Sequence, residues 1–230
     1  MFAGFDFDVI QRALPYLGQG MIFSLGLTGL AMLGGIFLGT LLALMRLSPF
    51  RLLSIPAGAY VDLLRATPLI LVIFWFYFLV PLIIKKISGD AYAQGIGPFY
   101  SALIAFTMFE AAYYCEIIRA GIQSVPRGQV NAAFALGLNY RLSMTLVVLP
   151  QAFRNMIPIL LTQGIILFQD TSLVYVVGLT DFMGAASKVA QRDGRLVEMY
   201  LFAAVVYFIL CFGASFVVKR LQQRITPASR

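Results

Sequence analysis

The chain has 230 residues, of which 60% are hydrophobic and only 12% charged, with a net charge of +7. Soluble domains run about 45–50% apolar and about 25% charged, so a water-soluble fold could not hide this much apolar surface and the solvent is a bilayer. This excludes a secreted disulfide scaffold, a disordered chain and an ordinary cytosolic enzyme. With no histidine, imidazole catalysis and His metal ligation are unavailable, the HExxH zinc motif included. Cys115 and Cys211 sit far apart in apolar runs and read as small buried hydrophobes. No GxxxxGK[ST] phosphate loop occurs, so any ATP that drives this protein is hydrolysed by another chain.

The N-terminus carries Asp6 and Asp8 and lacks the basic region of a signal peptide, so no cleavage is expected. Five apolar runs are long enough to span a hydrocarbon core of about 30 Å, which takes about 20 helical residues. The first, 17–45, is uncharged and rich in glycine, as in helices that pack closely on their neighbours. The second, 66–84, holds Pro68, Pro81 and the aromatic cluster Phe74 to Phe78; the third, 99–118, is interrupted by Glu110 and Glu116. The fourth, 155–177, is interrupted by Gln169 and Asp170, and the fifth, 197–218, is nearly uncharged after Glu198.

With the N-terminus outside and the C-terminus inside, 11 of the 17 Lys and Arg fall on the inner side, Arg46, Arg65, Arg119, Arg154 and Arg230 among them. Asp90 and most other acidic residues fall outside, which together satisfies the positive-inside rule. The charge is therefore a topology signal, with no nucleic-acid partner implied. The fold class is all-α: a polytopic membrane protein of five transmembrane helices in one domain, 1–230. The longest inner segment, 119–154, is too short for an enzyme domain and long enough for a docking platform. Within it, Ser124 is a candidate N-cap, Pro126 suits a first helical turn, 129–136 favour helix, and Gly137 suits a left-handed stop. A second short amphipathic stretch follows at about 139–148. Composition alone also allows this loop to be an interfacial helix lying on lipid.

The order Asn131-Ala132-Ala133, three residues, Gly137, nine residues, Val147, one residue, Leu149-Pro150 resembles the EAA loop (EAA-x3-G-x9-I-x-LP) of ABC importer permeases. Asn131 stands where the family has Glu, and Val147 where it has Ile. Further segments resemble the polar amino-acid branch: Arg65-Ala-Thr-Pro68, Glu110-Ala-Ala-Tyr113, Glu116-Ile-Ile-Arg119, Ile122 to Gln129, and Asp170-Thr-Ser-Leu173. The likeness runs from about residue 15 to 220, and is greatest to the glutamate and aspartate permease subunits. It implies the type I ABC importer permease fold in a bacterial inner membrane. Its implied partners are two ATPase subunits, a second permease chain, an external substrate-binding protein, an amino-acid substrate and membrane lipid. No cofactor is implied on this chain, ATP and Mg belonging to the ATPase. Pro126, Arg127, Gly128, Asn131, Ala132, Ala133, Gly137, Leu149 and Pro150 would form the ATPase-coupling loop, a coupling helix between spans 3 and 4. The competing class is a stand-alone secondary transporter or channel, against which the lack of an obvious internal repeat counts.

Charges at membrane depth cost about 3 kcal/mol on insertion scales and tend to mark pathways. Glu116 and Arg119, three residues apart, suit a structural ion pair. Glu110, with Tyr113 three residues on, faces the substrate path or is held between helices. Gln169, Asp170, Thr171 and Ser172 read as a broken helix, one segment ending near Gln169 and another starting after residue types that cap helices. Free N–H groups at such a start favour a substrate carboxylate; the alternative is a capped kink without ligand contact. Arg65 and Arg154 are assigned to the inner interface, where Arg snorkels.

Overall fold

The computed structural model describes residues 6–88 and 96–225; Asp90 and Arg230, counted in the charge balance, and the N-terminal stretch before Asp6 lie outside them. Among the described residues there is no strand. This is the form a bilayer demands, because hydrocarbon offers no partner for an unpaired backbone N–H or C=O. Five helical stretches are long and apolar enough to cross it.

The first is α1, Phe7–Leu47, 41 residues long. It starts ten residues before the apolar run expected at 17–45. The Asp6 side chain caps it by accepting from the Asp8 N–H at 3.0 Å, and polar Gln11 and Arg12 ride on its first turns. At 1.5 Å per residue it is about 60 Å long, well beyond the hydrocarbon core. An amphipathic helix α2, Arg51–Arg65, follows. The second span is composite: α3, Leu69–Phe74, capped at Pro68; a π-helical turn, Trp75–Leu79; and α4, Val80–Ser88. A second π turn, Ser143–Val148, lies between α7, Tyr140–Leu142, and α8, Leu149–Asp170. Each π turn ends two residues before a proline, Pro81 or Pro150. A proline has no N–H for the carbonyl four residues back, here Tyr77 or Leu146, and a widened turn accommodates that gap without ending the helix.

The third span, α5, Pro98–Gln123, is the most buried of the five. It leads to α6, Arg127–Ala135, on the loop before α7. After α8 the chain tightens into a 3₁₀ segment, Thr171–Val177, then forms α9, Phe182–Asp193, and the last span α10, Leu196–Ile225. Except at the start of α3 and at the end of the fourth stretch, which stops at Val177 as expected, the spans run past the limits read from hydropathy, because polar residues at a helix end lie in water or headgroups and need not end it.

The buried positions of α1 form one stripe at spacings of three and four: Val9, Ala13, Leu17, Gly20, Ser24, Leu27, Ala31, Gly35, Gly39 and Ala43. Small residues dominate it and set the distance to the neighbours. A Cβ on Gly39 would stand 2.9 Å from the Ala111 carbonyl oxygen and 3.0 Å from the Cys115 nitrogen, both backbone atoms of α5. One on Gly20 would stand 2.7 Å from the carbonyl oxygen of Asp181, just before α9. The core is thus in two parts. One surrounds α5 and takes in Leu27, Val61, Val72, Phe106, Cys115 and Leu167. The other joins the start of α1 to α9 and α10 through Leu17, Phe182, Val189 and Met199.

Gly39→Leu is expected to lower the thermal stability of the detergent-purified chain by about 1–3 kcal/mol, the usual penalty of overpacking. Gly26→Leu, at a position with nothing within 4 Å of its added Cβ, serves as the tolerated control in the same melting experiment.

Candidate functional site

Three polar groupings interrupt the apolar bundle. The first is inside it. Glu110 of α5 is fully buried, and both its carboxylate oxygens accept from Gln163 Nε2 of α8 at 3.2 Å. Gly35 of α1 leaves the room, since a Cβ there would stand 2.9 Å from the Glu110 Cβ. The interhelical hydrogen bond expected as one of two readings for Glu110 is present. Tyr113, one turn on, points elsewhere: it packs on Phe109 and lies under the Arg65 guanidinium at 5.5 Å.

Gln169 and Ser172 line a cavity of about 300 Å³ with Leu173, Tyr175, Met183 and Tyr207. Thr171 is fully buried and does not line it; its hydroxyl donates to the Phe168 carbonyl at 2.7 Å. Asp170 is half-buried, with no hydrogen bond or ion pair from its side chain among the described residues. The α-helix ends at Asp170, near Gln169 as expected, but contrary to expectation no fresh helix start opens after it. Asp170 and Thr171 both keep right-handed helical backbone, and the α-helix narrows to 3₁₀ geometry instead of opening. No Gly or Pro occurs from 165 to 177 to force an opening. The turn comes at Gly178, with φ +82°.

The fresh helix start is ten residues later, at α9, where Asp181 caps its own helix. Its carboxylate accepts from the N–H groups of Met183 and Gly184, each at 2.9 Å. The next N–H, of Phe182, donates to Ser24 Oγ of α1 at 3.1 Å. The N–H groups of this helix start are therefore held by the protein's own side chains. Sequence reading passed over Asp181, although an Asp just before Phe182-Met-Gly-Ala-Ala-Ser187 is a capping signal. Asp181 is fully buried, and desolvation raises its pKa to about 6 even though the Gly184 and Met183 N–H groups pull the other way.

The second grouping is ionic and lies where the end of α1, the end of α2 and the last turns of α5 meet. Glu116 pairs with Arg119 at 2.7 Å, as its spacing suggested. It also bonds Arg46 of α1 and stands 3.8 Å from Arg65 of α2, while Arg46 reaches Asp62 at 3.6 Å. Sequence reading missed Arg46 and Asp62 because their partners are 70 and 16 residues away, and it gave Arg65 a topological role only. Arg154 is exposed.

The third is the loop after α5. Ser124 does not cap α6 as expected; it closes α5, donating its hydroxyl to the Gly121 carbonyl and accepting from Asn155 Nδ2 at 2.8 Å. Pro126 occupies the N-cap instead, because an extended residue with no N–H suits the entry to a helix. Arg127, Gly128, Asn131 and Ala132 are exposed on α6, whereas Ala133 is buried within the chain. Gly137 is left-handed at φ +80°, and the Gly137 and Leu138 N–H groups close the helix on the carbonyls of Phe134 and Ala133. Phe134, Leu136 and Tyr140 present large apolar surfaces beside it. Leu149 is half-buried and Pro150 exposed at the start of α8.

The family model of the binding-protein-dependent transport system inner membrane component matches residues 35–227. The chain belongs to this family. It is similar to the glutamate/aspartate import permease protein GltK of Escherichia coli O157:H7, 52% identical over 220 residues that cover 96% of this chain and 98% of that protein. The L-cystine transport system permease protein TcyB of Bacillus subtilis is 34% identical, covering 95% of this chain and 90% of the relative. Among solved structures, a crystal structure of an amino acid ABC transporter with histidines superposes with a TM-score of 0.86 at 30% identity, covering 95% of this chain and 98% of that one. The inward-facing MetNI methionine ABC transporter, at 20% identity and a TM-score of 0.71 over 92% of this chain and 97% of that one, shares the fold. The chain is accordingly an inner-membrane transport component, as the resemblance of its 131–150 loop implied.

The folded state binds a proton at Asp181 more tightly than the unfolded chain, whose Asp titrates near 4. Stability is therefore expected to fall as pH rises from about 4 to about 6, the window between the two pKa values. Asp181→Asn keeps the cap and removes the buried charge. Its melting temperature in detergent should lose this part of the pH dependence, and an unchanged pH profile would show that Asp181 is not its source.

Proposed function

We propose that this chain is the translocating permease subunit of an ATP-driven importer for glutamate and aspartate. The reading rests on one observation above the others: 52% identity across nearly the whole of both chains to a glutamate/aspartate import permease. The N-terminus faces outward and the C-terminus inward, so that Arg46, Arg65, Arg119 and α6 meet the cytoplasm, as the positive-inside rule favours. Two ATPase subunits bind ATP and Mg and dock on the loop carrying Pro126, Arg127, Gly128, Asn131, Ala132, Ala133 and Gly137, with Leu149 and Pro150 bracing its return into the membrane. The exposed face of α6, with Phe134 and Leu136 beside it, supplies apolar area for that contact, and the buried Ala133 anchors the helix to its own chain. A second permease chain, the same or a homologue, completes the pathway, and an external binding protein delivers the amino acid.

Within this chain the cavity of Gln169, Ser172, Tyr175, Met183 and Tyr207 is the proposed substrate station. Gln169 and Ser172 supply hydrogen bonds, and the half-buried Asp170, which is outside the cavity lining, adds negative charge beside it for the substrate ammonium. Glu110 and Tyr113 act on this path from a distance, Glu110 by fixing α5 to α8 through Gln163.

The deciding experiment is purification of the tagged chain in mild detergent, mass spectrometry of what stays bound, and reconstitution of the complex with its binding protein. A co-purifying P-loop ATPase and ATP-dependent glutamate uptake are expected; amino-acid movement by the chain alone without ATP would replace this reading with a secondary transporter. Ala132→Glu is expected to leave ATP hydrolysis running while substrate moved per ATP falls sharply, and unchanged coupled transport would remove the docking role from α6. Gln169→Ala should raise the half-saturating substrate concentration about tenfold, the cost of one hydrogen bond to a charged group, without changing ATPase co-purification.

A further inference from the structure

From the ionic grouping at the end of α5 we infer that Glu116 is a positioning residue for transport: its carboxylate makes the inner ends of α1, α2 and α5 one rigid body, through which movement of α6 reaches the spans. The inference rests on the proposed docking of an ATPase at α6.

The side chain of Glu116 is 18% exposed, and arginines from three helices converge on it. Arg119 comes from α5 itself, Arg46 from the last turn of α1 and Arg65 from the last turn of α2. Arg46 spans two carboxylates, since it also reaches Asp62 of α2. Without the Glu116 carboxylate, three guanidinium groups would be left close together with Asp62 alone to offset them, so repulsion among the arginines would replace the attraction Glu116 now supplies. The contact is therefore two-sided in sign, which suits a joint that holds or releases as a unit.

The position of the joint matters as much as its charge. Glu116 lies eight residues before Ser124, about 12 Å along the helix, and α6 begins three residues after Ser124. The path from α6 to the joint is stiff. Arg119 binds the Gln123 side chain at 2.8 Å, and Val125 is buried in the same core as Ile118. Both ends of the loop are also tied together. Ser124 at the end of α5 takes a hydrogen bond from Asn155 of α8, and Gly121 lies so near Met156 that an added Cβ would stand 3.0 Å from its Cβ. A push on α6 therefore displaces the ends of α5 and α8 together rather than folding the loop, and Glu116 extends that displacement to α1 and α2.

The test uses the permease–ATPase complex with its binding protein in proteoliposomes and reads substrate moved per ATP hydrolysed. Glu116→Gln is expected to keep ATPase binding and hydrolysis while the ratio falls about two- to thirtyfold, the span of coupling changes of 0.5–2 kcal/mol. Glu116→Asp, which keeps the charge, should retain most of the parental ratio. Arg46→Gln should move it in the same direction as Glu116→Gln, and it decides the matter if Glu116→Gln does not assemble. An unchanged ratio in these variants, or hydrolysis and transport lost in proportion, would overturn the inference and leave Glu116 a structural pair. Ala132→Glu in the same vesicles separates the two ideas. If it uncouples while the Glu116 and Arg46 variants do not, only the joint falls; if it leaves the ratio unchanged, the docking role of α6 falls.

Discussion

Helix α5 can lie in the middle of this molecule because Gly35 and Gly39 of α1 carry no side chain. The backbone of α5 occupies the space a Cβ on Gly39 would need, and Glu110 and Tyr114 occupy the space at Gly35. In a bilayer, lipid tails are as apolar as leucine, so helices gain little by hiding apolar side chains from them; close approach and the packing it allows carry the association. Where α1 and α5 meet closely, the other polar features follow. Glu110 can be buried because α1 leaves it room and α8 brings Gln163, and Glu116 can gather Arg46 because the end of α1 is held against α5.

Around this axis the chain handles its polar backbone with the same economy. Two prolines within spanning stretches each follow a π turn, which keeps the helix continuous where a hydrogen bond is missing. The polar run at 169–172 narrows the helix to 3₁₀ without opening it, so its carbonyls and N–H groups stay paired within the segment. The helix start that does occur at this end, α9, is capped by Asp181 and braced by Ser24 across to α1. Gly20 allows that contact, as Gly39 does at α5, so both parts of the core depend on glycines of one helix face.

The two ends of the molecule differ in kind. At one, Arg195 lies 3.8 Å from Asp6 and 3.2 Å from Glu198, and α9 packs across α1 through apolar contact and the Asp181 cap. At the other, arginines from three helices surround one carboxylate beside a helix whose outer face is exposed. The second end thus sets a charged cluster next to an exposed, partly apolar helix.

The solvent, the number of spans, the loop with its left-handed Gly137, and the pairing of Glu116 with Arg119 are all legible in the order of residues. Each of these is set within a few residues, by hydropathy over about 20 positions, by the freedom of glycine at positive φ, or by the geometry of one helical turn. Membership of the permease family was legible for the same reason, because its motif is a local spacing. Four features needed the folded bundle: Glu110 bonds Gln163, Ala133 is buried while Ala132 is exposed, Ser124 closes α5, and Arg46 links Glu116 to Asp62. Those choices depend on which helix lies opposite, and that is set by glycines whose contacts are tens of residues distant in the chain. The same distance explains the run at 169–172. Its residue types cap helices when water can take the freed groups, but inside a bundle the chain keeps its own hydrogen bonds.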